Sequence, residues 1–461
     1  MLNRRAFLQT TAASLAAAGC ATRGPSQDRS PNIVLLISDD QGWGDYGFMD
    51  HPVIETPNLD RLAAESLLFT RGYVTAPLCC PSLASMITGL HPHQHKITCN
   101  DPPFLGEGRG WPPERLALRY EMHAYMAQAQ TLPRLLADRG YRSLQTGKWW
   151  MGHYSLGGFT HGMTHGDPER GGRHGDAGLE IGRTTMQPVY DFIDESGDRP
   201  FFLWYAPMLP HLPHDPPQRL LDRFIDKTDS IHVARYWAMC AWWDEGCGQL
   251  LDYLDRKGLR ENTIVLYVCD NGWVQRTDSR LMTARSKATR YEGGIRTPIM
   301  VRWPGRVAPR RDERTLASSV DLAPTILTAC GLSPTPGMQG VNLLDRGALR
   351  QRPCVCGAEY SHNAVDIHDP IANLNYLWVV EGPWKLILPG TQAPGTGRTE
   401  LFNVLEDPSE QENLADRHPG VVQRLRARLA SWWPEGVPAE GRARGKSGAV
   451  PRNLGRAFVA G

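Results

Sequence analysis

The chain has 461 residues, with 50 Lys+Arg against 49 Asp+Glu and a formal net charge of +1. That balance leaves no basic footprint for a nucleic acid or an anionic membrane. The 46 Gly and 36 Pro predict many ordered loops without reaching the ~25–30% that marks disorder, and a chain this long builds a large core without needing disulfides.

Residues 1–20 carry an export pattern rather than fold. Asn3-Arg4-Arg5-Ala6-Phe7 places an arginine pair before a small apolar stretch, Ala12 to Ala18, which is too short to span a bilayer. The pattern resembles a twin-arginine signal ending in a lipoprotein-type cysteine at Cys20, which would be a lipid anchor. The plainer alternative is an ordinary signal cleaved near Ala18. Residues 21–30 read as a polar linker, and no later segment has 18 consecutive apolar residues. An exported, periplasmic or envelope-associated protein is expected.

Four continuous apolar runs follow: Asn32 to Ser38, Pro200 to Tyr205, Thr263 to Val268 and Pro298 to Arg302. Runs of this kind suit strands buried on both faces. Helical patterns lie between them. One begins at Thr56-Pro57 and continues through Leu67; a second runs from Thr131 to Gly140. Others cover Arg235 to Leu254 and Asp321 to Cys330. The alternation predicts an α/β domain over 31–345, a doubly wound, mostly parallel sheet flanked by helices. From 346 the texture shifts to short strands at Tyr376 to Val380 and Trp384 to Leu388, then a helix from Gly420 to Trp433. A smaller C-terminal α+β subdomain, 346–433, is expected, with a loose basic tail at 434–461.

Ligands of such sheets sit at the carboxyl ends of strands. The first apolar strand ends in Asp39-Asp40 and the third in Asp270-Asn271. If these strands are neighbours, the acids and the amide form an all-oxygen set for a hard divalent cation, Ca²⁺ or Mg²⁺. Helix capping and turn formation are the ordinary uses of the same residues; two such pairs on similar strands favour the metal. Between them, Cys79-Cys80-Pro81-Ser82-Leu83 is followed by Thr88-Gly89. Pro81 and Ser82 suit a first helical turn, which places Cys79 just before a helix N-terminus. The ten cysteines lack zinc-site spacing, and sequence alone does not pair them.

At this point the chain resembles the type I sulfatases of the alkaline-phosphatase superfamily, whose signature is Cys-x-Pro-Ser-Arg followed by Thr-Gly. Gly147-Lys148-Trp149, Pro210-His211, Asp270-Asn271-Gly272, Lys287 with Glu292-Gly293-Gly294, and Glu400-Leu401-Phe402-Asn403 continue the resemblance in order over roughly 31–417. It implies an alkaline-phosphatase-like fold and a hydrolase of sulfate esters. Cys79 would be converted to formylglycine by a formylglycine-generating enzyme. Asp39, Asp40, Cys79, Asp270 and Asn271 would hold Ca²⁺. Lys148 and Lys287 would neutralise sulfate oxygens, and His211 would protonate the leaving alcohol.

Two positions depart from the family: Leu83 replaces the signature arginine, and Trp150 replaces the histidine of Gly-Lys-Trp-His. His153 is a candidate replacement for that histidine. His153, His214 and Trp150 are candidate substrate contacts, and aromatic and imidazole faces suit a sulfated carbohydrate. Alternatives are a phosphodiesterase or phosphonate monoester hydrolase of the same superfamily, and a non-catalytic relative that binds sulfated glycans.

Overall fold

The computed structural model describes residues 30–105, 110–393 and 397–438. The expected export signal with Cys20, the linker up to residue 29 and the tail from 439 lie outside them. Among the described residues no helix is long and apolar enough to cross a membrane.

The main sheet is built from β1 (Asn32–Ser38), β2 (Leu67–Tyr73), β3 (Arg142–Gly147), β4 (His161–Gly162), β5 (Phe201–Ala206), β6 (Thr263–Cys269), β7 (Arg296–Arg302), β8 (Arg310–Asp312) and β9 (Ala317–Ser318). Their spatial order is β4-β3-β5-β1-β6-β7-β2-β8, with β9 pairing β2. All pairings are parallel except those of β7, which runs antiparallel to β6 and β2. Alternate side chains of β1 enter opposite layers. Ile33, Leu35 and Ile37 join one apolar cluster, and Val34 and Leu36 join the other. That explains the unbroken apolar run: both faces of the strand are covered. The expected doubly wound, alkaline-phosphatase-like architecture is present, with one strand reversed.

The spatial order of β3, β5, β1 and β6 matters most for the site. They lie side by side and parallel, with Gly147 opposite Ala206, Leu36 opposite Tyr205, and Ser38 opposite Cys269. Four carboxyl ends therefore form one row. The residues that follow them, Lys148, the segment to His211, Asp39-Asp40 and Asp270-Asn271, leave the sheet at the same edge.

Two element boundaries differ from the sequence expectation. The first helix is Pro57–Ala64, and Leu67 opens β2 instead. Pairing with β7 overrides the helical spacing of Ala63 and Leu67, and every residue of β2 is buried. The helix after Leu78 starts at Cys79 itself and runs to Thr88, so Cys79 is its first residue and does not precede it.

The C-terminal subdomain has an antiparallel sheet of β10 (Val355–Tyr360), β11 (Leu374–Glu381), β12 (Trp384–Pro389) and β13 (Glu400–Asn403). The helix Pro419–Trp432 buries Leu425 and Leu429 against it. Ion pairs join the two parts. Lys385 of β12, fully buried, contacts Glu292 at 3.2 Å and Glu410 at 2.8 Å, and Arg290 meets Glu359 at 3.3 Å and Glu400 at 3.4 Å.

Candidate active site

Asp39 and Asp40 leave β1 beside Asp270 and Asn271. The N–H of Asp40 donates to Asp270 Oδ1 at 3.1 Å, and Asn271 Nδ2 donates to Asp40 Oδ1 at 2.7 Å. Asp40 has φ 60°, a left-handed conformation that few residues other than glycine adopt, and such strain is held where packing enforces it. Cys79 enters from the helix Cys79–Thr88, which is buried along its whole length and closed by Gly89 at φ 68°. The Cys79 Sγ lies 3.5 Å from Asn271 Oδ1 and 3.1 Å from Lys148 Nζ.

Both lysines are turned onto the carboxylates. Lys148 Nζ is 2.5 Å from Asp39 Oδ1 and 3.4 Å from Asp270 Oδ2. Lys287 Nζ is 2.5 Å from Asp40 Oδ1 and 2.7 Å from Oδ2. The Lys287 loop is tied to the cysteine loop, because the N–H of Ala288 donates to the carbonyl of Pro77 at 2.7 Å. Burial works against charge on Lys148, but Asp39, Cys79 and Asp270 outweigh it and hold its pKa well above the ordinary range. Burial raises the pKa of Asp39, and Asp270 raises it further.

This charge balance tests whether a cation belongs here. Three buried carboxylates face two ammonium groups, so the ionised set carries one uncompensated negative charge away from the surface. Asp39 Oδ2 is buried with no hydrogen-bond partner. Ligand atoms of Asp39, Asp40, Cys79 and His211 all lie within 4.8 Å of one another. Oxygen donors of this number and charge fit a hard divalent cation. His211 Nε2 is 3.4 Å from Asp40 Oδ2, while its Nδ1 donates to the Leu212 carbonyl at 2.5 Å. With Nδ1 carrying that hydrogen, Nε2 is the nitrogen that faces the site.

Eight of the residues expected from the sequence therefore meet in one buried cluster: Asp39, Asp40, Cys79, Lys148, His211, Asp270, Asn271 and Lys287. Trp150 borders it. Its ring lies 4.7 Å from the guanidinium of Arg173 and 5.7 Å from that of Arg119, with the His174 ring 5.4 Å away at 60°. His153 stands apart. It is exposed, it accepts the N–H of Ser155, and it rests on Tyr154 at 4.3 Å. Its imidazole is used as a local cap, and it makes no contact with the cluster. His214 faces a separate cavity. Leu83 is fully buried in the apolar core.

Sequence reasoning missed three residues grouped around Trp150: Asp101, Arg173 and His174. Asp101 is 2% exposed and accepts from Arg173 Nε at 3.0 Å, with Arg119 at 3.5 Å. His174 hydrogen-bonds through its carbonyl to the N–H of Trp149 at 2.9 Å, and its Nδ1 is buried without a partner. Gly-Gly-Arg-His carries no motif, and only the approach of that loop to Trp149 reveals it. Cys80, whose N–H donates to Asn100 Oδ1 at 2.9 Å, points its sulfur toward Met151 at 3.9 Å. The nine described cysteines are all unpaired.

Comparison with known proteins adds the following. The profile of the sulfatase family matches residues 31–332, and that of the N-sulphoglucosamine sulphohydrolase C-terminal region matches 284–433. N-acetylgalactosamine-6-sulfatase of the dog, Canis lupus familiaris, is 31% identical over 89% of this chain and 87% of its own length. A solved structure described as being in complex with its substrate D-glucosamine-2-N,6-O-disulfate superimposes with a TM-score of 0.67 at 19% identity, covering 90% of this chain and 100% of the other. The phosphonate monoester hydrolase of Agrobacterium radiobacter also superimposes with a TM-score of 0.67, at 16% identity, covering 88% and 96%. Likeness at this level of identity establishes the shared fold.

Proposed function

We propose, from the premise that this chain belongs to the sulfatase family and hydrolyses sulfate esters, that it is an exported enzyme acting on a sulfated carbohydrate. Ca²⁺ or Mg²⁺ would be held by Asp39, Asp40, Asp270, Asn271 and residue 79, with Cys79 converted to formylglycine. The observation that carries this reading is the adjacency of β1 and β6, which sets the acids of both strands around Cys79 with two ammonium groups beside them. The likeness to a hexosamine sulfatase over 89% of the chain supports a sugar substrate, and the arginine pair at 4–5 supports export.

When present, the cation polarises the sulfate and the formylglycine hydrate supplies the attacking oxygen. The chain's own residues do the rest. Lys148 and Lys287 neutralise sulfate oxygens as charge spreads between them. His211, anchored through Nδ1 to Leu212, faces the departing alcohol oxygen with Nε2; burial favours the neutral ring, so Nε2 passes a proton to that oxygen only after taking one up. The buried walls keep bulk water from the lysines and strengthen both contacts. Asn271 holds Asp40 in place through its amide.

Mass spectrometry of the Cys79 peptide, together with turnover of 4-nitrophenyl sulfate and of a phosphate diester, tests the reading. Formylglycine and preferential sulfate hydrolysis support it. An unmodified thiol in a protein that still cleaves sulfate esters would remove the formylglycine step. Faster cleavage of the diester would select the phosphodiesterase alternative.

A further inference from the structure

Three residues beyond His211 the same loop forms the wall of a second cavity. Pro213, His214, His232, Arg235 and Arg280 line a space of about 110 Å³, against the ~10–15 Å³ that admits one water. The lining contains two guanidinium groups, two imidazoles and no carboxylate. Pro213, Arg235 and Arg280 are exposed and frame the mouth, while His214 is buried behind them. The His214 ring is set against Tyr236 at 5.4 Å and Trp273 at 5.8 Å. Both its ring nitrogens are buried and neither has a hydrogen-bond partner.

This is an unusual way to leave an imidazole. Burial, followed by the charges of Arg183, His232 and Arg235, lowers its pKa to about 3. The ring is therefore neutral, with one N–H to donate; the Pro210 carbonyl approaches it without completing a well-formed hydrogen bond. A buried donor without a partner is costly unless a ligand supplies one. Two of the acids nearby are already committed. Asp215 pairs with Arg183 at 3.1 Å, and Asp278, whose field reaches His232, is held by both ends of Arg276 at 2.6 and 2.7 Å. Nothing in the lining neutralises Arg235 or Arg280. The cavity is thus positive, roomy and supplied with a neutral donor. Three residues of chain put His214 no more than ~11 Å from His211, Cα to Cα.

We propose that this cavity is an anion subsite that holds a second oxyanionic substituent of the glycan, a further sulfate or a uronate carboxylate, while the scissile sulfate lies at Cys79. The inference rests on the sulfated-carbohydrate reading above. It makes the enzyme selective for densely charged sugars, since a ligand with a single anion leaves Arg235 and Arg280 unused.

The test measures inhibition of 4-nitrophenyl sulfate hydrolysis by sucrose octasulfate, by an oligogalacturonide and by inorganic sulfate. In Arg235→Ala/Arg280→Ala the inhibition constant of the polyanionic sugar should rise about tenfold, the loss of charge-assisted hydrogen bonds. The constant for inorganic sulfate should change by less than about twofold. Arg235→Glu should raise the polyanion constant further, and Arg235→Lys should recover part of the loss. A shift seen with sucrose octasulfate alone assigns the subsite to sulfate, and one seen with the oligogalacturonide assigns it to carboxylate. Equal shifts for polyanion and inorganic sulfate, or no shift for either sugar, would overturn the proposal. Should the wild-type protein fail to cleave 4-nitrophenyl sulfate, the catalytic reading falls separately. Calorimetric binding of sucrose octasulfate to wild type and variants then decides the subsite by the same comparison.

Discussion

Lys148 and Lys287 each sit at 2.5 Å from a buried carboxylate. They neutralise the acids that would otherwise repel one another, and Lys148 also stands 3.1 Å from the sulfur of Cys79. Replacing either with alanine should lower kcat for an aryl sulfate by about 10²–10³, the usual effect of removing one charge stabiliser. Because a buried carboxylate then loses its partner, thermal unfolding must be recorded with the kinetics; Lys148→Met separates lost charge from lost packing. His174 and His153 offer a sharper contrast. His174 lies beside Trp149 and Trp150 with a bare Nδ1, whereas His153 is spent on Ser155. His174→Ala should reduce kcat by about 10²-fold, in the range of a lost proton-transfer group, and His153→Ala should leave it nearly untouched. Equal effects would show that the imidazole absent at 150 has no substitute at 174.

At the scale of elements, the site depends on loops fastened from outside the main sheet. Glu410 accepts the N–H of Glu292 at 2.6 Å and meets Lys385 of β12 at 2.8 Å, while Glu292 contacts the same lysine. The segment from Lys287 to Glu292 is therefore clamped by the C-terminal subdomain. Two fully buried acids share one ammonium, with Arg296 at 3.7 Å giving further compensation. Lys385→Met should destabilise the protein by about 3–5 kcal/mol, the cost of breaking a buried ion pair, read as a lower urea midpoint. If the clamp also positions Lys287, activity measured well below that midpoint falls as well.

For the whole molecule, two responses follow from burial. A cation that binds only the folded chain stabilises it by about 2.7 kcal/mol at a hundred times its dissociation constant. Added Ca²⁺ should raise the unfolding temperature, a chelator should reverse the rise, and Asp270→Asn should abolish it. The second response is to acid. Burial lowers the pKa of His95 and of His123 from 6.5 to about 3. Between those values the unfolded chain binds protons that the folded chain refuses. Stability therefore falls as pH drops from 6.5 toward 3, by about 1.4 kcal/mol per pH unit for each such ring. His95→Gln, which can keep a hydrogen bond to Ser85, should flatten the slope in a pH series of urea midpoints.

The amino-acid order by itself determined the apolar strands, the acids that end them, the cysteine-led helix and the small C-terminal subdomain, because each is written in local periodicity and in short motifs. It reached β2 poorly, since the spacing of Ala63 and Leu67 suits a helix and only the partner strand β7 decides otherwise. Tertiary structure alone decided that β1 and β6, whose paired residues are 231 apart in the chain, are neighbours. It also decided that Arg173 and His174 pack against Trp150 while His153 turns to Ser155. Sheet order and loop docking depend on contacts distant in sequence, and no local pattern of residues encodes them.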